Sequence, residues 1–95
     1  MPQATWKPLR SEVHGRLSAG SINSLQQASF AFPRARKEPM TDASHVRNAI
    51  ARFDQVADVT DAERDLAFAN IQKAAQHFGI RMKETSWREL FSRSA

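Results

Sequence analysis

Residues 60–79, TDAERDLAFANIQKAAQHFG, constrain the fold of this chain more than any other stretch. They open with Thr60-Asp-Ala-Glu63, the spacing of a capping box: the Thr60 hydroxyl accepts from the Glu63 amide, and the Glu63 carboxylate reaches back to the Thr60 amide. Asp61, Glu63 and Asp65 add negative charge near the positive end of the helix dipole. Leu66, Ala67, Phe68, Ile71, Ala74, Ala75 and Phe78 then recur as a broad apolar stripe. Gly79 follows where a left-handed stop is wanted, with apolar Ile80 behind it. The spacing predicts a helix over residues 61–78, and the alanines at 67, 74 and 75 predict the close approach of a second helix.

That second helix is expected over residues 43–56. Thr41 or Asp42 can cap it, and Val46, Ala49, Ile50, Phe53, Val56 and Ala57 supply its buried face. Only residues 57–60 connect the two helices, so an antiparallel hairpin is expected. A further capping box, Ser86-Trp-Arg-Glu89, heads a short terminal helix carrying Trp87, Leu90 and Phe91. So short a helix needs tertiary support and must lean on the hairpin. Phe30 and Phe32, two residues apart, fall on one side of an extended segment that Pro33 ends. They read as a hydrophobic strap across the helices. Ile80 and Met82 alternate with charged neighbours, a short extended piece able to run beside Phe30–Phe32.

The expected fold class is therefore all-α: a small helical domain with an antiparallel helix hairpin, a short C-terminal helix and an extended aromatic strap. The predicted core is Phe30, Phe32, Val46, Ile50, Phe53, Val56, Leu66, Ile71, Ala74, Phe78, Ile80, Trp87 and Leu90. A chain of 95 residues allows one domain. Residues 1–29 mix Pro2, Pro8, Gly15 and Gly20 with scattered polar side chains and read as a flexible arm containing short helical turns. Trp6, Leu9, Val13 and Leu17 fall near helical spacing and could dock such a helix on the body; Ile22 and Leu25 mark another weak turn. Residues 30–91 are expected to be compact and residues 92–95 a disordered tail.

The stretch FAFPRARKEPMTDASHVRNAIARFDQV, continued by DVTDAERDLAFANIQKAAQHFGI and TSWREL, resembles a family of short uncharacterised bacterial and phage-associated helical domains of unknown function. The resemblance covers about residues 30–90. It implies homology and carries no activity, cofactor or site residue to this chain.

Composition narrows the function classes. With no cysteine, disulfides, thiolate nucleophiles and Cys-based metal sites are excluded. No apolar run nears the roughly 20 residues that span a bilayer, and the proline-interrupted start lacks the apolar stretch of a secretory signal, so a soluble, cytoplasmic chain is expected. Neither a metal-ligand spacing among His14, His45 and His77 nor a glycine-rich phosphate loop occurs. No cofactor, metal or catalytic residue is assigned, and enzymatic activity is not expected of so small a body.

The formal charge of +4 lies in the first 40 residues, which hold six basic and two acidic side chains against eight of each in residues 41–95. Arg34, Arg36 and Lys37 cluster in the RARKEPM linker, and Arg47 and Arg52 could extend the cluster along the first helix, with Lys7, Arg10 and Arg16 on the arm. His45, three residues after Asp42, is either held by that carboxylate for proton transfer or anion contact or anchors the helix start. Arg34, Arg36, Lys37, His45, Arg47 and Arg52 are thus the candidate contacts for nucleic acid or another anion. The expected function is a small non-enzymatic protein-interaction or adaptor module with an unidentified protein partner, docking through the strap, the arm or the Phe68 and Phe91 surface. The alternative is weak, non-specific nucleic-acid binding through the basic arm and linker. A monomer is the expected state.

Overall fold

The computed structural model describes residues 3–8 and 27–92. The fold is mixed, which corrects the all-α expectation: among the described residues three α-helices are joined by a two-stranded antiparallel sheet. Strand β1, Phe30–Phe32, pairs with β2, Lys37–Pro39, with Phe30 opposite Pro39 and Phe32 opposite Lys37. The charged linker is thus the second strand of a hairpin, whose loop is Pro33, Arg34, Ala35 and Arg36. Pro33 fixes the backbone as the chain leaves β1, and Arg36 closes the loop at φ 53°, the left-handed turn residue such loops use. Pro39 lacks an N–H and is tolerated because β2 has only one neighbour. Ile80 and Met82, expected beside β1, are instead half-buried in a segment assigned to no strand.

Helix α1, Ala43–Arg52, starts at Asp42, whose side chain accepts from the His45 amide, and tightens into a 3-10 turn at Phe53–Gln55. Helix α2, Asp61–His77, carries the predicted capping box, with Thr60 Oγ1 3.1 Å from the Glu63 amide and Glu63 Oε1 3.0 Å from the Thr60 amide. It ends in a Schellman motif: Ile80 N–H donates to Ala75 O at 2.8 Å and Gly79 N–H to Gln76 O at 3.3 Å, with Gly79 at φ 73°. Helix α3, Arg88–Ser92, follows the Ser86 cap. β1 lies on α2, β2 on α1, α1 touches α2, and α3 leans on the 3-10 turn after α1. Phe53 joins these layers, its ring 5.3 Å from Phe32, 6.4 Å from Trp87 and 6.2 Å from Phe91. Trp87 also donates from Nε1 to Asp65 at 2.7 Å, which fixes α3 to α2.

The core contains Phe30, Phe32, Val46, Phe53, Val56, Ile71, Ala74, Trp87 and Leu90 as expected, while Ile50, Leu66, Phe78 and Ile80 are only half-buried. Phe68 is buried, so it offers no docking surface. The largest addition is Trp6, which is 1% exposed although its sequence neighbourhood reads as an arm. Its indole donates to Met40 O at 3.0 Å and its ring meets His77 and Phe78 edge-on at 5.6 and 5.8 Å. Asn70, fully buried on α2, holds this segment: Oδ1 accepts from the amides of Thr5 at 2.7 Å and Trp6 at 2.9 Å, and Nδ2 donates to Ala31 O at 3.0 Å. Lys7 N–H adds a bond to Ala28 O at 2.9 Å. The helical turns considered around Leu9, Val13, Leu17, Ile22 and Leu25, and most of the tail at 92–95, lie outside the described residues. No helix among the described residues is long and apolar enough to cross a membrane.

Candidate functional site

A polar cleft of about 360 Å3 opens between β2 and the connection from α1 to α2, lined by Lys37, Glu38, Arg52, Gln55, Val56, Ala57 and Asp58. Three local decisions build it. The hairpin loop turns the chain back so that Lys37 and Glu38 run beside α1. Helix α1 stops at Arg52, its last helical residue. The 3-10 turn then delivers Val56, Ala57 and Asp58 as an apolar wall with an acidic end.

Of the six candidate residues, only Lys37 and Arg52 line this cleft. Arg34 is bound elsewhere: its guanidinium grips Glu63 with Nε at 2.6 Å and Nη2 at 3.1 Å, and Nη2 also donates to Asp58 O at 3.2 Å. That pairing raises the Arg34 pKa and, with the Thr60 amide, draws the Glu63 carboxyl down to about 2. Arg36 stacks on the Phe30 ring at 4.7 Å. Arg47 is exposed on α1 and does not reach the cleft. The linker bases therefore do not form one open basic patch.

His45 sits in the first turn of α1 against its cap, Asp42. Its amide donates to Asp42 Oδ1 at 2.9 Å and its Nδ1 lies 2.8 Å from the same oxygen. Burial tends to raise the Asp42 carboxyl, but the His45 amide and ring outweigh it and leave the group below the usual carboxylate range. Glu38 behaves in the opposite way. Burial pushes its carboxyl up, against the combined pull of Arg52, Lys37 and His45.

Sequence reasoning missed Glu38, Gln55 and Asp58. Glu38 and Asp58 both hold left-handed backbone, at φ 58° and φ 63°. Aspartate visits that region with modest penalty, and no more explanation is needed for a turn. Glutamate does not, and Glu38 also precedes Pro39, where steric contact with the proline ring restricts the backbone further. The only available signal was the Glu-Pro step inside a charged segment. Nothing in the cleft is placed as a nucleophile with a base, and among the described residues no three His, Asp or Glu side chains converge to hold a metal ion. The arrangement can bind a polar group between side chains of both charges.

Neither the curated proteins nor the solved structures return a match to the chain. A family model described as a family of unknown function (DUF6582) matches residues 7–85, so the shared region begins well before residue 30, where the sequence resemblance was expected to start, and takes in the segment next to Trp6. The match spans most of the chain, and the chain belongs to this family of unknown function, DUF6582.

Proposed function

We propose that the chain is a non-enzymatic protein-interaction module that docks a partner in the cleft between β2 and the α1–α2 connection. One observation carries this reading. Glu38 is held left-handed immediately before a proline, at a cost of roughly 1–2 kcal/mol, in the wall of the cleft. Arg36 has a local reason for the same conformation because it closes a hairpin loop, and Asp58 sits in a turn. Glu38 has none, and strain without a local cause concentrates at ligand clamps. The engagement of Arg34 with Glu63 and of Arg36 with Phe30 favours a protein partner over a phosphate backbone. The reading is of a monomeric module.

The test compares affinity capture by the native chain, by Glu38→Gly and by Lys73→Ala, an exposed change on α2 outside the cleft. The expected result is a protein recovered by the native chain and by Lys73→Ala and lost with Glu38→Gly, although Glu38→Gly stays folded. Recovery of the same proteins by all three would refute the cleft as the docking site.

A further inference from the structure

Among the described residues, Arg34 pairs with Glu63, His45 with Asp42 and Arg64 with Asp61. Lys37 and Arg52 belong to none of these pairs, yet they line one cleft from two different elements, β2 and the end of α1. Glu38 lies close enough for both cations to favour its charged form, but half-buried as it is, it makes no ion pair with either. A guanidinium fork and an ammonium group on one cleft are a complementary pair for a carboxylate, the first setting orientation and the second adding a point charge. Val56 and Ala57 supply an apolar wall against which the methylenes of an acidic side chain can lie.

The cleft is nevertheless formally neutral, since Glu38 and Asp58 balance Lys37 and Arg52. A lone anion would leave Asp58 facing like charge. A segment that carries an acid and a base side by side satisfies both ends. We propose that the cleft receives a short polypeptide segment with adjacent acidic and basic residues, its carboxylate held between Lys37 and Arg52 and its cation facing Asp58. This rests on the reading of the cleft as the docking site.

The experiment titrates the isotope-labelled full chain with three capped tetrapeptides, acetyl-Gly-Glu-Lys-Gly-amide and the versions with Gln for Glu or Gln for Lys, and follows backbone amide shifts at low salt. The Glu-Lys peptide should move the amides of residues 37, 38, 52 and 55–58. Replacing Glu by Gln should weaken binding roughly tenfold, the scale of two partly exposed ion pairs. Lys37→Met with Arg52→Met should abolish the preference for Glu over Gln, and Asp58→Asn should abolish the preference for Lys over Gln. Both changes fall on exposed side chains, so the fold persists. Equal binding of the Glu and Gln peptides, preferences that survive these variants, or no shift at about 10 mM peptide, where even millimolar affinity registers, would each overturn the proposal. A partner lost with Glu38→Gly while the peptides bind indistinguishably would sink this inference alone and leave the docking reading standing.

Discussion

Replacing Asn70 by alanine should be among the most damaging single changes in this protein, even though it removes only a small polar side chain. Asn70 accepts from two amides, at Thr5 and Trp6, and donates to Ala31 O and, at 3.2 Å, to Thr5 Oγ1. Thr5 is exposed, so water can replace its lost partner. The Trp6 amide and the Ala31 carbonyl belong to residues at 1% and 0% exposure and cannot be rehydrated in place. Each buried orphan costs about 1–3 kcal/mol, so the change should remove about 2–6 kcal/mol. A domain of this size has roughly 5–14 kcal/mol in total. Even the lower figure corresponds to a fall in Tm of about 10 °C. The assay is urea unfolding followed by circular dichroism, with tryptophan emission recorded in a Trp87→Phe background so that Trp6 reports alone. Emission should shift to the red in Asn70→Ala at urea concentrations where the native chain is unchanged. Thr5→Ala removes one hydroxyl acceptor and leaves Asn70 its bonds to the Trp6 amide and Ala31 O, so it should cost less than about 1 kcal/mol. A loss below about 0.5 kcal/mol for Asn70→Ala with unchanged Trp6 emission would refute the account of Asn70 as the clamp on the N-terminal segment.

Three further outcomes follow from local geometry. Glu38→Gly should stabilise the chain by about 0.5–1 kcal/mol, since relief of the left-handed strain exceeds the added backbone entropy of glycine; destabilisation in urea melts would show that the Glu38 backbone is not strained. Glu63 has its pKa lowered from about 4.5 to about 2 in the folded chain, so its stabilisation is complete above the higher value and drains as pH falls through the lower one. Glu63→Gln should therefore flatten the fall of stability between pH 4.5 and pH 2, and a curve parallel to the native one would contradict the Arg34 pairing. A Cβ added at Gly79 meets nothing within 4 Å, so Gly79→Ala should cost only the conformational penalty at φ 73°, about 1 kcal/mol in thermal melts.

The helices were legible because their signals are local. The Thr60–Glu63 capping box, the Asp42 cap, the Phe-Gly stop and the apolar stripe of α2 each involve residues within a few positions of one another, and each appears where the pattern places it. The second expected box forms by half: the Glu89 carboxylate accepts from the Ser86 amide at 2.9 Å, while the Ser86 hydroxyl accepts from the Arg88 amide at 3.1 Å rather than from that of Glu89. The strand β2 was not legible, because Lys-Glu-Pro carries every mark of a solvated linker and becomes a strand only through pairing with buried β1. Trp6 was left out of the predicted core for a related reason. Its partners, Met40, Asn70, His77 and Phe78, are between 34 and 72 positions away, and no local period can report them. Asn70 did leave a trace: it stands three residues after Ala67 and four before Ala74, on the face that α2 buries, where a polar side chain has to find partners.

Charge shows the same limit most clearly. Counted along the chain, the excess of positive charge belongs to the first 40 residues, and an electrostatic function would be sought there. Folding rearranges that distribution in space. Arg34 of the hairpin loop bonds Glu63 at the start of α2, 29 positions away, which joins a base from the positive half to an acid from the neutral half. The same folding brings Lys37 from the first half against Arg52 from the second, across one cleft. A basic run in sequence is thus divided into a cation used to fasten the hairpin, a cation stacked on an aromatic ring, and a cation turned toward a cleft that a residue outside the run completes. Removing the first 29 residues would leave that pair of cations in sequence but would also remove Trp6 from beneath Met40, the residue that leads from β2 into α1. Loss of binding after such a truncation would therefore report the collapse of the cleft's support, and the point substitutions at Lys37, Glu38 and Arg52 are the changes that separate recognition from folding.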